Sequence, residues 1–178
     1  MKSTVLLIAC VACSLSLGVR AQKSNADYIE DLKTAGYPVI IPLSFAVTKR
    51  KFALTSLYKM DDKNGLMHSA EISANKDGAS IYFRVYRPCV PSENANRLHE
   101  RIIMISGQKL EAYYSCNYGS ADSRTNEFYG IKSTAGNDFA KKAFAEMNYV
   151  FVHLNDLPVP FHTEGFSKAM AEASGKAL

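Results

Sequence analysis

Between Ala79 and Pro88 the side chains alternate: Ile81, Phe83 and Val85 share one parity, while Tyr82, Arg84 and Tyr86 share the other. A period of two is the repeat of an extended strand, whose successive side chains point to opposite faces. The first set is wholly apolar and the second amphipathic. The strand therefore lays one face on a core and keeps the other at the surface.

The flanking segments repeat the theme at short spacing. Val39 to Val47 is apolar and β-branched, but Pro42 cannot donate to a ladder, which predicts an edge strand or a bulge. Phe52 to Met60 alternates, with Phe52, Leu54, Tyr58 and Met60 on one side. Asn64-Gly65 is a strong hairpin signal, and Asn75 to Gly78 is a second turn after Leu66 to Ala74. Residues 93–101 read as a short polar helix. Arg101 to Ile105 and Lys109 to Tyr118 are strands joined at Ser106-Gly107-Gln108. Asn117 to Gly130 is polar and reads as a long loop, a kind of segment that usually carries function or is disordered. Tyr149 to Leu154 and Val159 to His162 make a last hairpin.

Helical signals gather toward the ends. Ser24 and Asp27 have the spacing of a capping box, with Tyr28, Ile29, Leu32 and Ala35 on one face behind it. Asn137-Asp138 is expected to cap a helix carrying Phe139, Ala143, Phe144 and Met147. Thr163 is expected to cap another through Phe166, Ala169, Met170 and Ala173. The fold class is thus α+β: an antiparallel β-sheet of about six or seven strands with an N-terminal helix and two C-terminal helices.

The N-terminus predicts a domain that works outside the cytoplasm. Lys2 is followed by an apolar run from Val5 to Leu17 and then by Val19-Arg20-Ala21, the three parts of a cleavable signal peptide over residues 1–21. The run is shorter than the ~20 residues of a spanning helix, so no transmembrane segment is expected after cleavage. Residues 22–178 then form a single exported domain, periplasmic or extracellular. Losing Lys2 and Arg20 lowers the formal charge from +4 to +2, which gives no reason to expect nucleic acid. Cys10 and Cys13 leave with the leader. Cys89 and Cys116 remain, and two cysteines in an exported chain most simply pair. Cys89 continues the parity of Ile81, Phe83 and Val85. Cys116 continues that of Leu110, Ala112 and Tyr114, so the bond would join the ends of two strands flanking 102–105.

No residue pattern assembles a nucleophile, a nucleotide loop or a paired-carboxylate cleft, and no cofactor is expected. Two candidate sites remain. The first is a binding surface of Tyr82, Arg84, Tyr86 and Tyr113, with Tyr118 and Tyr129 bracketing the 117–130 loop. Tyrosine and arginine dominate interface hot spots because they bury much area and still offer hydrogen bonds. Tyrosine also suits strands for packing reasons alone, so a structural reading stands beside this one. The second is a metal site from His153, Asp156, His162 and Glu164, whose imidazoles and carboxylates suit zinc if the last hairpin brings them together.

From 137 to 173 the order of helix, strand, turn and strand leads into Phe161-His162-Thr163-Glu164-Gly165-Phe166-Ser167-Lys168-Ala169-Met170. This stretch resembles the close of the invasion-associated locus B family of exported bacterial proteins. The resemblance implies a small β-rich envelope protein without established catalysis, and it transfers no site residue. The expected function is a non-catalytic binding or accessory protein whose partner is another protein or an envelope component. The alternative is a small secreted metal-dependent hydrolase centred on 153–164.

Overall fold

A computed structural model describes residues 23–48, 51–59, 65–75, 78–87, 89, 98–118 and 125–175. The chain runs α1 (Asn25–Thr34), β1 (Val39–Leu43), α2 (Phe45–Thr48), β2 (Phe52–Tyr58), β3 (Leu66–Asn75), β4 (Gly78–Tyr86) and β5 (His99–Ile105). It continues with β6 (Gln108–Tyr118), β7 (Thr125–Ile131), α3 (Thr134–Glu146), β8 (Tyr149–Leu154), β9 (Leu157–His162) and α4 (Phe166–Ala173). The leader and residues 93–97 of the expected polar helix lie outside the described residues; the part from His99 onward is strand.

All nine strands join one antiparallel sheet in the order β1-β2-β3-β4-β7-β6-β5-β8-β9. The sheet curls until β9 lies against β1 and β2, so it is nearly a barrel. Nine strands replace the six or seven expected. One strand that no expected segment covers is β7, which occupies part of the supposed 117–130 loop. Its core-facing positions are Glu127, Tyr129 and Ile131, all buried, so its inner parity does not read as apolar.

The concave face holds the core. Ile81, Phe83 and Val85 of β4 are buried there as their alternation predicts, while Tyr82, Arg84 and Tyr86 are half-exposed on the convex face. On β2 the buried set is Ala53, Thr55 and Leu57, and the bulkier Phe52, Leu54 and Tyr58 face outward. Small Ala53 and Ala70 leave room for a cluster of Phe45, Phe83, Phe144, Phe161 and Phe166, whose neighbouring ring centroids lie 5.4 to 6.4 Å apart. Each such ring contributes about 1.5–3 kcal/mol by leaving water. This cluster joins α2, α3 and α4 to the sheet.

The capping box of α1 forms as read: Asp27 N donates to Ser24 Oγ at 3.2 Å and Ser24 N to Asp27 Oδ2 at 2.8 Å. α1 packs over the last hairpin, with Tyr28 stacked on Phe151 at 4.7 Å. The other two caps differ from expectation. α3 starts at Thr134 under Ser133, whose Oγ accepts from Gly136 N at 3.0 Å; Asn137 lies inside the helix and donates to Ile131 O at 3.2 Å. α4 has Gly165 at its N-cap with no side-chain cap, and the Thr163 hydroxyl instead donates to Met147 O.

The disulfide joins Cys89 to Cys116. The strand between β4 and β6 is β7, not the segment around 102–105, which forms β5 on the far side of β6. No helix among the described residues is long and apolar enough to cross a membrane.

Candidate functional site

Two polar assemblies face opposite sides of the same strands. On the convex face, register aligns Glu71 of β3 with Tyr82 of β4, then Gly130 of β7, Tyr113 of β6 and Glu100 of β5. One row over, Ser69, Arg84, Phe128 and Ser115 are aligned. Glu71 is the hub. Its Oε1 takes Arg84 Nε at 3.0 Å, Ser69 Oγ at 2.5 Å and Tyr86 Oη at 3.2 Å.

The Arg84 guanidinium lies 5.5 Å from the Tyr82 ring centroid and 5.6 Å from that of Phe128, and the two rings are 5.1 Å apart. Burial works against the charge on Arg84, but the Glu71 carboxylate and the Tyr82 hydroxyl outweigh it and hold the group above its usual range. Burial, with Glu71 adding to it, raises the phenols of Tyr82 and Tyr86. The assembly is therefore a neutral ion pair set among half-exposed rings. Gly130 carries no side chain between Tyr82 and Tyr113, and the Phe128 ring leans over it. Tyr113 lies under Lys132, whose Nζ is 6.0 Å from the ring centroid and 2.7 Å from Glu100 Oε1.

Of the predicted surface residues, Tyr82, Arg84 and Tyr86 form this cluster and Tyr113 lies on the same face. Tyr129 does not belong to it: β7 points it inward, where it is 2 % exposed. Tyr118 ends β6, and its side chain lies outside the described residues, as do residues 119–124. Phe128 and Glu71 are absent from the predicted surface, Phe128 because it falls within the segment expected to be a loop and Glu71 because nothing in its local sequence marks the partners that β4 brings to it.

On the concave face, near the disulfide, register aligns Thr55, His68, Val85, Glu127 and Cys116 across five strands. Glu127 is 4 % exposed and fully partnered. Arg87 Nε reaches its Oε1 at 2.6 Å, while Tyr129 Oη donates to Oε2 at 2.9 Å and Asn155 Nδ2 donates to the same oxygen at 2.5 Å. Burial and then the Glu127 charge drive the Tyr129 phenol far above its usual range, so it serves only as a neutral donor. Tyr114 packs on Tyr129 at 5.2 Å and carries Arg101 over its own ring at 5.2 Å. His68 is 1 % exposed, its Nδ1 has no hydrogen-bond partner, and burial lowers its pKa to about 4. The imidazole is neutral at physiological pH.

The four residues of the metal reading do not converge. In the β8–β9 ladder His153 pairs with Pro158 while His162 pairs with Tyr149. Four residues of extended chain separate the two histidines along the hairpin, about 13 Å. His153 sits edge-on to Tyr28 at 5.4 Å under α1, where burial lowers its pKa. His162 packs against Tyr149 at 4.8 Å and lies 4.0 Å from Glu164. Those two line a depression of about 320 Å³ with Met147, Asn148 and Lys168. Asp156 is at the hairpin tip, at the other end. No group of three metal-ligating side chains is found among the described residues.

Comparison with protein-family models, with curated proteins and with solved structures finds no match for this chain. What defines it is a curled antiparallel sheet with α2, α3 and α4 packed on its core face, a buried carboxylate layer at the disulfide end and a convex face where the Glu71–Arg84 pair sits among aromatic rings.

Proposed function

We propose that this chain is an exported, non-catalytic binding protein that engages a macromolecular partner through the convex face of β4, β7 and β6. The observation that carries this reading is the cluster of Tyr82, Arg84, Tyr86 and Phe128 around Glu71. Its rings are large, half-exposed and already fixed by one another, so little side-chain freedom remains to be lost on contact. Arginine and tyrosine are the residues that supply most binding energy at such surfaces. The leader-like N-terminus and the resemblance over 137–173 point the same way, toward an envelope or extracellular partner.

The test is capture of a partner from envelope extract or culture medium by residues 22–178 in the oxidised form, against a Tyr82→Ala/Arg84→Ala/Tyr86→Ala control. Melting temperatures of both are measured in parallel. Capture by the wild type alone, with the control still folded, supports the reading. Equal capture by both, or by neither, removes it.

A further inference from the structure

Val39, Ile41 and Leu43 are 51 %, 45 % and 38 % exposed, three aliphatic side chains in one row on β1, an end strand of the sheet. Register sets Tyr58, Ser56 and Leu54 of β2 beside them, each half-buried and on the same outer face. Leu54 and Tyr58 thus widen the row to two strands. A single exposed aliphatic is ordinary, whereas a contiguous set marks a contact surface. The charges around this set have one sign. Between Asp31 and Asp61 the sequence holds no acidic residue. Lys51 and Lys59, both exposed, stand at the two ends of β2. Among the described residues neither pairs with a carboxylate, and Lys59 Nζ lies 5.4 Å from the Tyr37 ring centroid. Glu71, the register partner of Phe52 on β3, is already neutralised by Arg84.

These residue types narrow the occupant. Leucine, valine and lysine are under-represented where proteins bind one another. A second copy docked about a two-fold axis would set the same lysines against each other, with no acid from this stretch to receive them. A lipid surface offers what the face calls for: an acyl boundary for the aliphatic row and anionic headgroups for the lysines at its ends. Lysine suits that division, because its stem stays on apolar surface while the ammonium reaches outward.

We propose that the outer face of β1 and β2 is a peripheral docking surface for an anionic lipid bilayer. Val39, Ile41, Leu43 and Leu54 enter the boundary between headgroups and acyl chains, and Lys51 and Lys59 hold the headgroups. In the sheet β3 lies between this face and β4, so the lipid surface and the Arg84 cluster occupy different strands.

Residues 22–178 contain every element of the fold and omit the apolar stretch Val5–Leu17, which would bind lipid by itself. Their co-sedimentation is measured with vesicles of phosphatidylcholine alone and of phosphatidylcholine mixed with phosphatidylglycerol. The anionic vesicles should take up the protein about tenfold or more better than the neutral ones, and high salt should erase most of the difference. Ile41→Thr/Leu43→Thr keeps a β-branched side chain at both places and should lower uptake by anionic vesicles about tenfold. Lys51→Gln/Lys59→Gln should lower it by about the same factor, whereas Lys109→Gln/Lys142→Gln, an equal change of charge elsewhere, should not. Melting temperatures establish that each variant folds. Tyr82→Ala/Arg84→Ala/Tyr86→Ala should bind vesicles as the wild type does, which keeps this result apart from partner capture. Uptake by neither vesicle, equal uptake by both, or equal loss in the two lysine pairs overturns the proposal. So does a folded Ile41→Thr/Leu43→Thr that binds like the wild type. A dimer in sedimentation velocity that this variant dissolves also overturns it, since the face would then meet a second copy.

Discussion

The Thr55 hydroxyl on β2 donates to the carbonyl of Pro160 on β9, across the gap where the sheet nearly meets itself. Pro158 and Pro160 take alternate places on β9. Phe151, the register partner of Pro160, gives its carbonyl to Ser106 N on the β5 side. The Phe151–Pro160 pair is therefore a non-hydrogen-bonded one, and the Pro160 carbonyl faces the open edge. With prolines there β9 cannot complete a ladder, and a side chain closes the seam instead.

Thr55→Val keeps the shape and removes that donor. Both Thr55 and Pro160 are buried, so the carbonyl is left without a partner. A loss of about 1–3 kcal/mol in unfolding free energy is expected from urea titration. Thr55→Ser, which keeps the hydroxyl, should lose less; equal losses would mean that the methyl packing matters and the bond does not.

Gly165→Ala should be among the most damaging small changes. Gly165 has φ +83°, and an added Cβ would lie 2.6 Å from the backbone nitrogen of Ala46, which itself donates to Glu164 O at 3.1 Å. The left-handed conformation alone costs about 1–3 kcal/mol for a residue with a side chain. The clash forces α2 and α4 apart in addition. A fall in melting temperature larger than that of Gly36→Ala, where φ is +89° and nothing lies within 4 Å, would isolate the steric part.

His68 makes stability depend on pH in a defined direction. Its folded pKa, about 4, is below the ordinary 6.5, so between these values the unfolded chain binds a proton that the folded one refuses. Stability contributed here is complete above pH 6.5 and declines as pH falls toward 4, by up to about 3 kcal/mol. His68→Leu should flatten that part of the profile and, by removing an unpartnered nitrogen, leave neutral-pH stability unchanged or higher. A wild-type and variant pair with parallel slopes from pH 6.5 to 4 would refute the assignment.

Arg87→Met tests the carboxylate layer as a matter of stability. Removing one partner of a fully buried pair costs about 3–5 kcal/mol, but the Arg87 side chain is 40 % exposed, which reduces the expected loss to about 1–3 kcal/mol. Arg87→Met/Glu127→Leu, which removes both charges, should recover part of it; a double variant no better than additive would show that the two groups act independently.

Much of this was written in local sequence. The alternation of β4 is a local property, and it placed Ile81, Phe83 and Val85 inside and Tyr82, Arg84 and Tyr86 outside. The Ser24–Asp27 box and the pairing of the two cysteines past residue 21 were legible for the same reason: each needs only spacing and residue type. The tertiary structure decided the rest. β7 is a strand because β4 and β6 flank it, and its buried Glu127 and Tyr129 are tolerated because Arg87 and Asn155, 40 and 28 residues away, satisfy them. No window along the chain contains that compensation. The separation of His153 from His162 is likewise a matter of register, which the composition of the hairpin does not express. Patterns of period and spacing report what a residue does to its neighbours in sequence. Which distant group makes a buried charge acceptable is settled only when the sheet has curled and brought them together.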